Sequence, residues 1–114
     1  MTDDEKTGIG KAFREAANMP PARLEKWLET DDSNRVGWKG EDGDGAGESV
    51  GHHSGRRIVE IKRKKKADLT PADYTHMKKV IGYVARHRAQ GPAKDKRQSD
   101  WRYSLMNWGH DPLR

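Results

Sequence analysis

The chain has 114 residues, of which 36% are charged and only 32% are hydrophobic, so it can bury one small core at most. It contains no cysteine, which excludes disulfide bonds and thiolate metal sites, and no apolar run approaches the roughly 20 residues of a membrane helix. The acidic start, MTDDEKTG, lacks the hydrophobic stretch of a secretory signal, so we expect a soluble protein of the cytoplasm.

Helical periodicity first appears near the N-terminus. One face of a short predicted helix carries Ile9, Phe13, Ala16 and Ala17. We expect residues 1–18 to form an N-terminal arm with this helix, and residues 19–114 to form a single helical domain. A second helix is predicted to begin at Pro21, which suits a first turn, and to end near Thr30, where polar turn-forming residues follow.

Residues 34–47 are predicted to be a flexible linker, because five glycines stand among acidic residues with almost nothing apolar to bury. Trp38 is the exception, and it either packs back onto the domain or stays exposed. Residues 42–44 have the D-x-D spacing of a calcium loop. However, Ala46 and His53 occupy positions where oxygen ligands belong, so we expect no calcium site.

The third predicted helix runs from about Ser49 to Lys66. Its apolar face combines Val50, Ser54, Ile58 and Ile61. Gly51 and Gly55 lie beside that face, one turn apart, and we interpret them as positions where another helix approaches closely. The alternative is a phosphate-cradling turn, but the segment lacks the preceding strand and the Lys-Ser/Thr pair of a P-loop.

The fourth helix has the clearest boundaries. Thr70 is a good N-cap, Pro71 suits the first turn, Asp73 completes a capping box, and Gly91 ends the helix. Its apolar face is formed by Tyr74, Met77, Val80, Ile81 and Val84. The outer face is predicted to be basic and aromatic, with His76, Lys79, Tyr83, Arg86 and His87. Because only four residues connect them, the third and fourth helices should be neighbours.

A polar connector over residues 92–100 leads to a last apolar segment. Trp101, Leu105 and Trp108 fit one or two helical turns that end at Gly109. In a chain so poor in aliphatic residues, we expect Trp27, Trp101 and Trp108 to lie in the core rather than to stack on bases. The predicted fold is therefore all-α, a small bundle of three to four helices closed by a Trp-rich C-terminal segment.

Charge is unevenly distributed along the chain. The net charge of +5 combines −5 over residues 1–48 (7 basic, 12 acidic) with +10 over residues 49–98 (14 basic, 4 acidic). Between Arg56 and Lys66, seven of eleven residues are basic and only Glu60 is acidic. A concentrated field of one sign attracts a polyanion, and nucleic acid is the first candidate.

If the third and fourth helices pair, their basic residues form one surface. We predict phosphate contacts from Arg56, Arg57, Arg63, Lys64, Lys66, Lys78, Lys79 and Arg86. The expected function is binding of DNA, or of RNA, with little dependence on base sequence. A helix-turn-helix interpretation is less favoured, because no Asn, Gln or Arg stands early in the fourth helix to make a bidentate base contact.

A different class of function stays open at this point. The same charges suit a protein-interaction or regulatory module that binds an acidic partner and has no nucleic-acid role. Such a protein would be cytoplasmic; a DNA-binding one would lie on the nucleoid of a bacterium or in the nucleus of a eukaryote. The oligomeric state is left open.

Catalysis is not expected. Adjacent residues on a helix point in different directions, so His52, His53 and Ser54 cannot form a local nucleophile–base pair. The same histidines have neither the spacing of a metal motif nor cysteines nearby. No cofactor, metal or small-molecule substrate is indicated.

Four segments of the chain resemble one small family. They are ARLEKWLET (22–30), ESVGHHSGRRIVEI (48–61), HMKKVIGYVARH (76–87) and WRYSLMNWGHDP (101–112). The chain is similar, from about residue 19 onwards, to domain-of-unknown-function family 3140, whose members are often labelled "DNA-binding protein". The resemblance implies DNA binding without defining a site. Pro20 and Lys62 depart from the family pattern, where a Thr cap and an apolar Leu are expected.

Overall fold

The computed structural model describes residues 2–36, 50–91 and 99–113. Over these residues the chain contains six α-helices, a short 3₁₀-helix at Lys66–Asp68 and no strand, which confirms the all-α prediction. The helices are α1 (Asp3–Ala16), α2 (Pro21–Leu28), α3 (Asp31–Arg35), α4 (Val50–Lys62), α5 (Pro71–Gln90) and α6 (Asp100–Asn107). Most of the predicted linker, including Trp38, lies outside the described residues.

Two helices differ from the prediction because of threonine caps. α1 begins at Asp3 because the Thr2 hydroxyl accepts a hydrogen bond from the Glu5 backbone N–H at 3.1 Å, so it is longer than the predicted short helix. α3 was predicted to be a turn. Thr30 caps it in the same way, accepting from the Ser33 backbone N–H at 3.1 Å.

The boundaries of α5 agree with the prediction, whereas α4 is shorter. The Thr70 hydroxyl accepts from the Asp73 N–H at 3.1 Å, and the Asp73 carboxylate accepts from the Thr70 N–H at 2.9 Å, so the capping box is confirmed. α4 ends at Lys62, not Lys66, since the cations that follow offer nothing apolar to bury. The Lys62 ammonium instead donates to the Met19 carbonyl at 2.9 Å.

The core is formed where α1 packs on α5, α2 packs on α4, and α6 lies against α2, α3, α4 and α5. Trp108 is 4% exposed, and Trp27 and Trp101 are partly buried against the same core, as predicted. Phe13 and Ala17 are buried with the residues of the later helices. The division between an arm and a domain at residue 18 stays a prediction.

Gly51 and Gly55 allow α6 to approach α4 closely. A Cβ atom on Gly51 would lie 3.0 Å from Nε1 of Trp108, and one on Gly55 would collide with the backbone oxygen of Asn107 and with Leu28. Both glycines are buried within α4. The interpretation as a helix contact is therefore confirmed, and the phosphate-cradling alternative gains no support, because Trp108, Asn107 and Leu28 fill the space beside the two glycines.

A buried amide connects three helices. The Asn107 side chain on α6 is fully buried, and its oxygen accepts hydrogen bonds from Trp27 Nε1 at 2.8 Å and from the Ser33 hydroxyl at 2.5 Å. Its nitrogen donates to the Ser33 carbonyl at 3.1 Å. Because every polar atom of this amide has a partner, its burial fixes α2 and α3 on α6.

The last residues return to the N-terminal third and form a C-terminal clasp, residues 109–111. Gly109 has a φ of +78° and ends α6, as predicted. Its carbonyl accepts from the Met19 N–H at 3.0 Å. The Asp111 N–H donates to the Asn18 side chain at 2.8 Å, and that side chain donates back to the Asp111 carbonyl at 3.1 Å.

Asp111 is also an electrostatic anchor. Its carboxylate is 3% exposed and lies 2.5 Å from Arg23 Nη2 and 3.1 Å from Arg102 Nη2. Burial by itself would raise the pKa of Asp111, but hydrogen bonds from Arg102 and Arg23 outweigh it and lower the pKa to about 2. This acid therefore stays charged and holds α2, α6 and the clasp together at neutral pH.

Candidate nucleic-acid interface

Two of the predicted phosphate-binding residues, Arg56 on α4 and Arg63 just past its end, face α2 and its acids. Arg63 Nη1 lies 2.6 Å from Oε2 of Glu25. Arg56 is exposed, but it lines a groove together with Glu25 and Glu29. The structure therefore places these two cations beside acidic residues, away from α5.

The next two predicted residues, Arg57 on α4 and Lys64 just past its end, are directed at a buried acid on α5. Arg57 Nη1 lies 2.8 Å from Oδ1 of Asp73, and Lys64 Nζ lies 2.9 Å from Oδ2. The Asp73 side chain is fully buried, and burial alone would raise its pKa. Hydrogen bonds from the Thr70 backbone and the Lys64 side chain, together with the adjacent Arg57 guanidinium, outweigh burial and hold the pKa of Asp73 well below its usual range. Asp73 thus offsets much of the charge of both cations.

Lys66 is held by α1. Its ammonium donates to the Thr7 hydroxyl at 3.0 Å, across the turn that connects α4 to α5. Thr7 is neutral, so the charge of Lys66 is positioned and not cancelled. This places Lys66 on the α1 side of the molecule.

The remaining predicted residues lie on the outside of α5. Lys78, Lys79 and Arg86 are exposed and have no ion-pair partner within the described parts of the chain. Lys79 and Arg86 are seven residues apart and share one side of the helix, whereas Lys78 is rotated by about 100°. Gly82 lies between them, and Arg86 Nη1 is 3.1 Å from where a Cβ on Gly82 would be. Arg86 thus lies back along the helix towards Lys79.

Cations from both helices converge on His76. Burial lowers the pKa of His76, and the charges of Arg57 and Lys79 lower it further, as does His53. The ring Nε2 is hydrogen-bonded to the Ser54 hydroxyl at 2.9 Å. We call the surface formed by His53, Arg57, His76, Lys79 and Arg86 the basic seam; it is where α4 and α5 contribute positive charge together.

The prediction of a basic and aromatic outer face on α5 is wrong for its aromatic members. The rings of Tyr83 and Trp108 stack with centroids 4.1 Å apart, and Tyr83 also stacks on His87 at 5.3 Å. The His76 ring is parallel to Trp108 at 6.3 Å. His76 and Tyr83 are half-buried because their rings lie parallel to that of Trp108, and His87 is half-buried against Tyr83.

The pairing of Ser54 with His76 was not foreseen, because it joins two helices across 22 residues of sequence. A nucleophile must be accessible to its substrate, but Ser54 is 2% exposed. The contact therefore orients the His76 ring at the basic seam.

Neither a metal cluster nor a membrane helix emerges from the described ranges. Nowhere in residues 2–36, 50–91 and 99–113 do three His, Asp or Glu side chains gather as metal ligands would. Within the same ranges, the structure contains no helix that combines the length and the hydropathy needed to span a bilayer.

Comparison with protein families supports the resemblance seen in the sequence. A family model described as "Protein of unknown function (DUF3140)" matches residues 12–106. The matched segment includes the basic seam and begins inside α1. No curated protein and no solved structure matches the chain.

Proposed function

This chain belongs to the family described as "Protein of unknown function (DUF3140)", and we propose that it binds DNA through phosphate contacts with little dependence on base sequence. The observation that carries the proposal is the basic seam. It contains exposed cations on α5 that the described fold leaves without acidic partners.

Phosphate contact suits this surface better than base recognition. Lysine and arginine neutralise phosphates whatever the sequence, and the gain comes from released counterions. The first turns of α5, which a reading helix would insert into the major groove, present Pro71, Ala72 and Thr75. None of these offers the bidentate pattern that distinguishes bases.

Pairing within the fold lowers the expected number of phosphate contacts. Of the eight residues predicted from the sequence, three are engaged with acids (Arg57, Arg63 and Lys64), and Lys66 lies beside α1. We expect about four contacts, and so a loss of about a hundredfold in affinity between 50 and 200 mM salt. By this proposal the protein lies on the nucleoid in a bacterium and in the nucleus in a eukaryote.

The first experiment is a salt titration of binding to duplex DNA, single-stranded DNA and RNA. We expect duplexes of unrelated sequence to bind equally, with an affinity that falls with salt as stated. If the protein prefers RNA, the basic seam remains the proposed binding surface, but its ligand is RNA and not DNA. If no nucleic acid is retained at 50 mM salt, the proposal is wrong, and binding to an acidic protein partner becomes the better hypothesis.

The second experiment tests the surface with charge-matched variants. Lys79→Gln/Arg86→Gln should weaken DNA binding at least about tenfold at 50 mM salt and reduce the salt slope by about two. Lys11→Gln/Lys26→Gln removes the same charge from exposed positions on α1 and α2, and should change affinity by less than about threefold. Equal losses in both variants would show that only net charge matters.

A further inference from the structure

A cavity of about 360 Å³ lies where α1 meets the end of α4 and the start of α5. This volume falls in the range of sites that hold small molecules. The apolar surface of the cavity includes Phe13, Ile61 and Met77, which belong to the core. None of the described residues that line it is Asp or Glu. An apolar surface without acids beside it can accept the hydrophobic part of an anion.

Two cations reach the cavity from one stripe of α1. Lys6, Gly10 and Arg14 are spaced four residues apart, so they follow one another along one side of the helix. The Lys6 ammonium lies 5.8 Å from the centre of the Tyr74 ring, which also lines the cavity. Arg14 Nη1 lies 3.4 Å from where a Cβ on Gly10 would be, so its guanidinium lies along the mouth of the cavity.

A third cation faces this stripe from the turn after α4. Lys66 lines the cavity, and its hydrogen bond to the neutral Thr7 hydroxyl fixes the ammonium without neutralising it. An ammonium has three donors, so two remain for a ligand. Lys64 also lines the cavity, but Asp73 offsets its charge. Within the described residues no acid pairs with Lys6, Arg14 or Lys66, which therefore form a positive rim around an apolar interior. Lys62 also lines the cavity, where its ammonium donates to the Met19 carbonyl.

We propose that this cavity binds a small amphipathic anion. Its apolar body lies on Phe13, Ile61 and Met77, and its carboxylate, sulfonate or phosphate oxygens meet Lys6, Arg14 and Lys66. A fully polar anion leaves the interior unfilled, and an uncharged apolar molecule leaves the rim unused. The site is separate from the basic seam, so the inference does not depend on DNA binding.

Three probes test the proposal by separating charge from apolar area. 8-Anilinonaphthalene-1-sulfonate carries both, N-phenyl-1-naphthylamine has the same rings without the sulfonate, and inorganic phosphate carries charge alone. Titration of the full chain, followed by probe fluorescence and by calorimetry for phosphate, should give one site per chain for the sulfonate. The two partial probes should bind at least about tenfold more weakly.

Charge-matched variants locate the site. Arg14→Gln/Lys66→Gln should weaken binding of the sulfonate at least about tenfold. Lys11→Gln/Lys65→Gln removes neighbouring exposed cations that do not line the cavity, and should leave binding within about twofold. Lys79→Gln/Arg86→Gln should also leave it unchanged, which separates this site from the DNA proposal.

A blocking variant tests the volume. Gly10 lines the cavity, so Gly10→Leu should fill part of it and abolish binding, while leucine favours the helix more than glycine does. Gly8→Leu is the matched control, because a Cβ at Gly8 meets nothing within 4 Å. The proposal is overturned if the wild type shows no single sulfonate site, if the uncharged probe binds equally, or if Gly10→Leu and Gly8→Leu behave alike.

Discussion

α4 and α5 are both basic helices, yet their cations do different things. Arg57 on α4 and Lys64, two residues past its end, are 26% and 28% exposed and are directed at the buried Asp73. On α5, Lys79 and Arg86 are exposed, with no acid paired to them in the described structure. The basic run at residues 56–66 therefore contributes mainly to the stability of the fold, whereas the basic residues of α5 are more available to a ligand.

This difference shows why counting charges overestimates a binding surface. A cation near a buried carboxylate offsets the cost of burying that carboxylate, and the charge of the pair is then reduced as seen from outside. A cation on the side of a helix away from such an acid keeps its field. Comparing the two helices by substitution measures both contributions.

The largest effect is expected at Asp73, the buried acid that pairs with Arg57 and Lys64. Asp73→Asn should reduce the free energy of unfolding by about 3 kcal/mol, because it leaves Arg57 and Lys64 without their buried partner. It should also strengthen DNA binding by releasing both cations. Urea unfolding and DNA titration measure the two changes. Asp68→Asn, an exposed position with the same change in charge, should shift stability by less than about 0.5 kcal/mol.

Glycines on the two helices should respond in opposite directions. Gly55→Ala should cost about 2 kcal/mol, because the new Cβ meets the Asn107 backbone and Leu28. Gly82→Ala should gain up to about 1 kcal/mol of helix propensity, since its Cβ meets only the flexible end of Arg86. Thermal unfolding of the two variants gives the comparison, and a stable Gly55→Ala protein would contradict the close packing of α6 on α4.

Single cations from each helix should separate stability from binding. Arg57→Gln should lower the free energy of unfolding by about 1 kcal/mol, whereas Lys79→Gln should change it by less than about 0.5 kcal/mol. Both remove one positive charge beside His76. The urea unfolding midpoint and the DNA affinity of each variant test whether stability and binding depend on different cations. If Lys79→Gln destabilises as much as Arg57→Gln, the two helices do not differ in the way described.

The smallest effect is a pH dependence at His76. Burial and the charges of Arg57 and Lys79 lower its pKa in the folded state below the ordinary 6.5. Unfolding therefore takes up a proton, and stability should fall as the pH is lowered from 6.5 through the folded-state pKa. His76→Gln should flatten this dependence relative to the wild type. If His76→Gln has the same pH dependence of stability as the wild type, that dependence comes from His87 and His110, whose pKa values are also lowered by burial.

The two ends of α5 could be predicted from its own capping residues, whereas the short helix α3 was not predicted. Thr70, Pro71, Asp73 and Gly91 set both ends of the helix through contacts within a few residues, so its boundaries were correct. α3 was missed because five residues give too little periodicity, although Thr30 was present as a capping signal.

The candidate site depended on partners that are distant in sequence. Asp73 was recognised as a cap, and the short connector predicted that α4 and α5 are neighbours. Neither signal specified that Arg57 and Lys64 would meet Asp73. The burial of Tyr83 against Trp108 follows from the position of α6 in the same way. Positions of cations along each helix could be predicted; which of them meet an acid could not.

The C-terminal clasp sets an order on folding. The hydrogen bonds between Asn18 and Asp111 join residues 93 positions apart, so they cannot form on a ribosome until α6 has been synthesised. The contacts of Arg57 and Lys64 with Asp73, by contrast, join residues that are close in the sequence and need only a short stretch of chain. A chain stopped before residue 109 therefore leaves the Ala16 carbonyl without the His110 ring and the Met19 N–H without the Gly109 carbonyl. The N-terminal third, although made first, becomes fully anchored last.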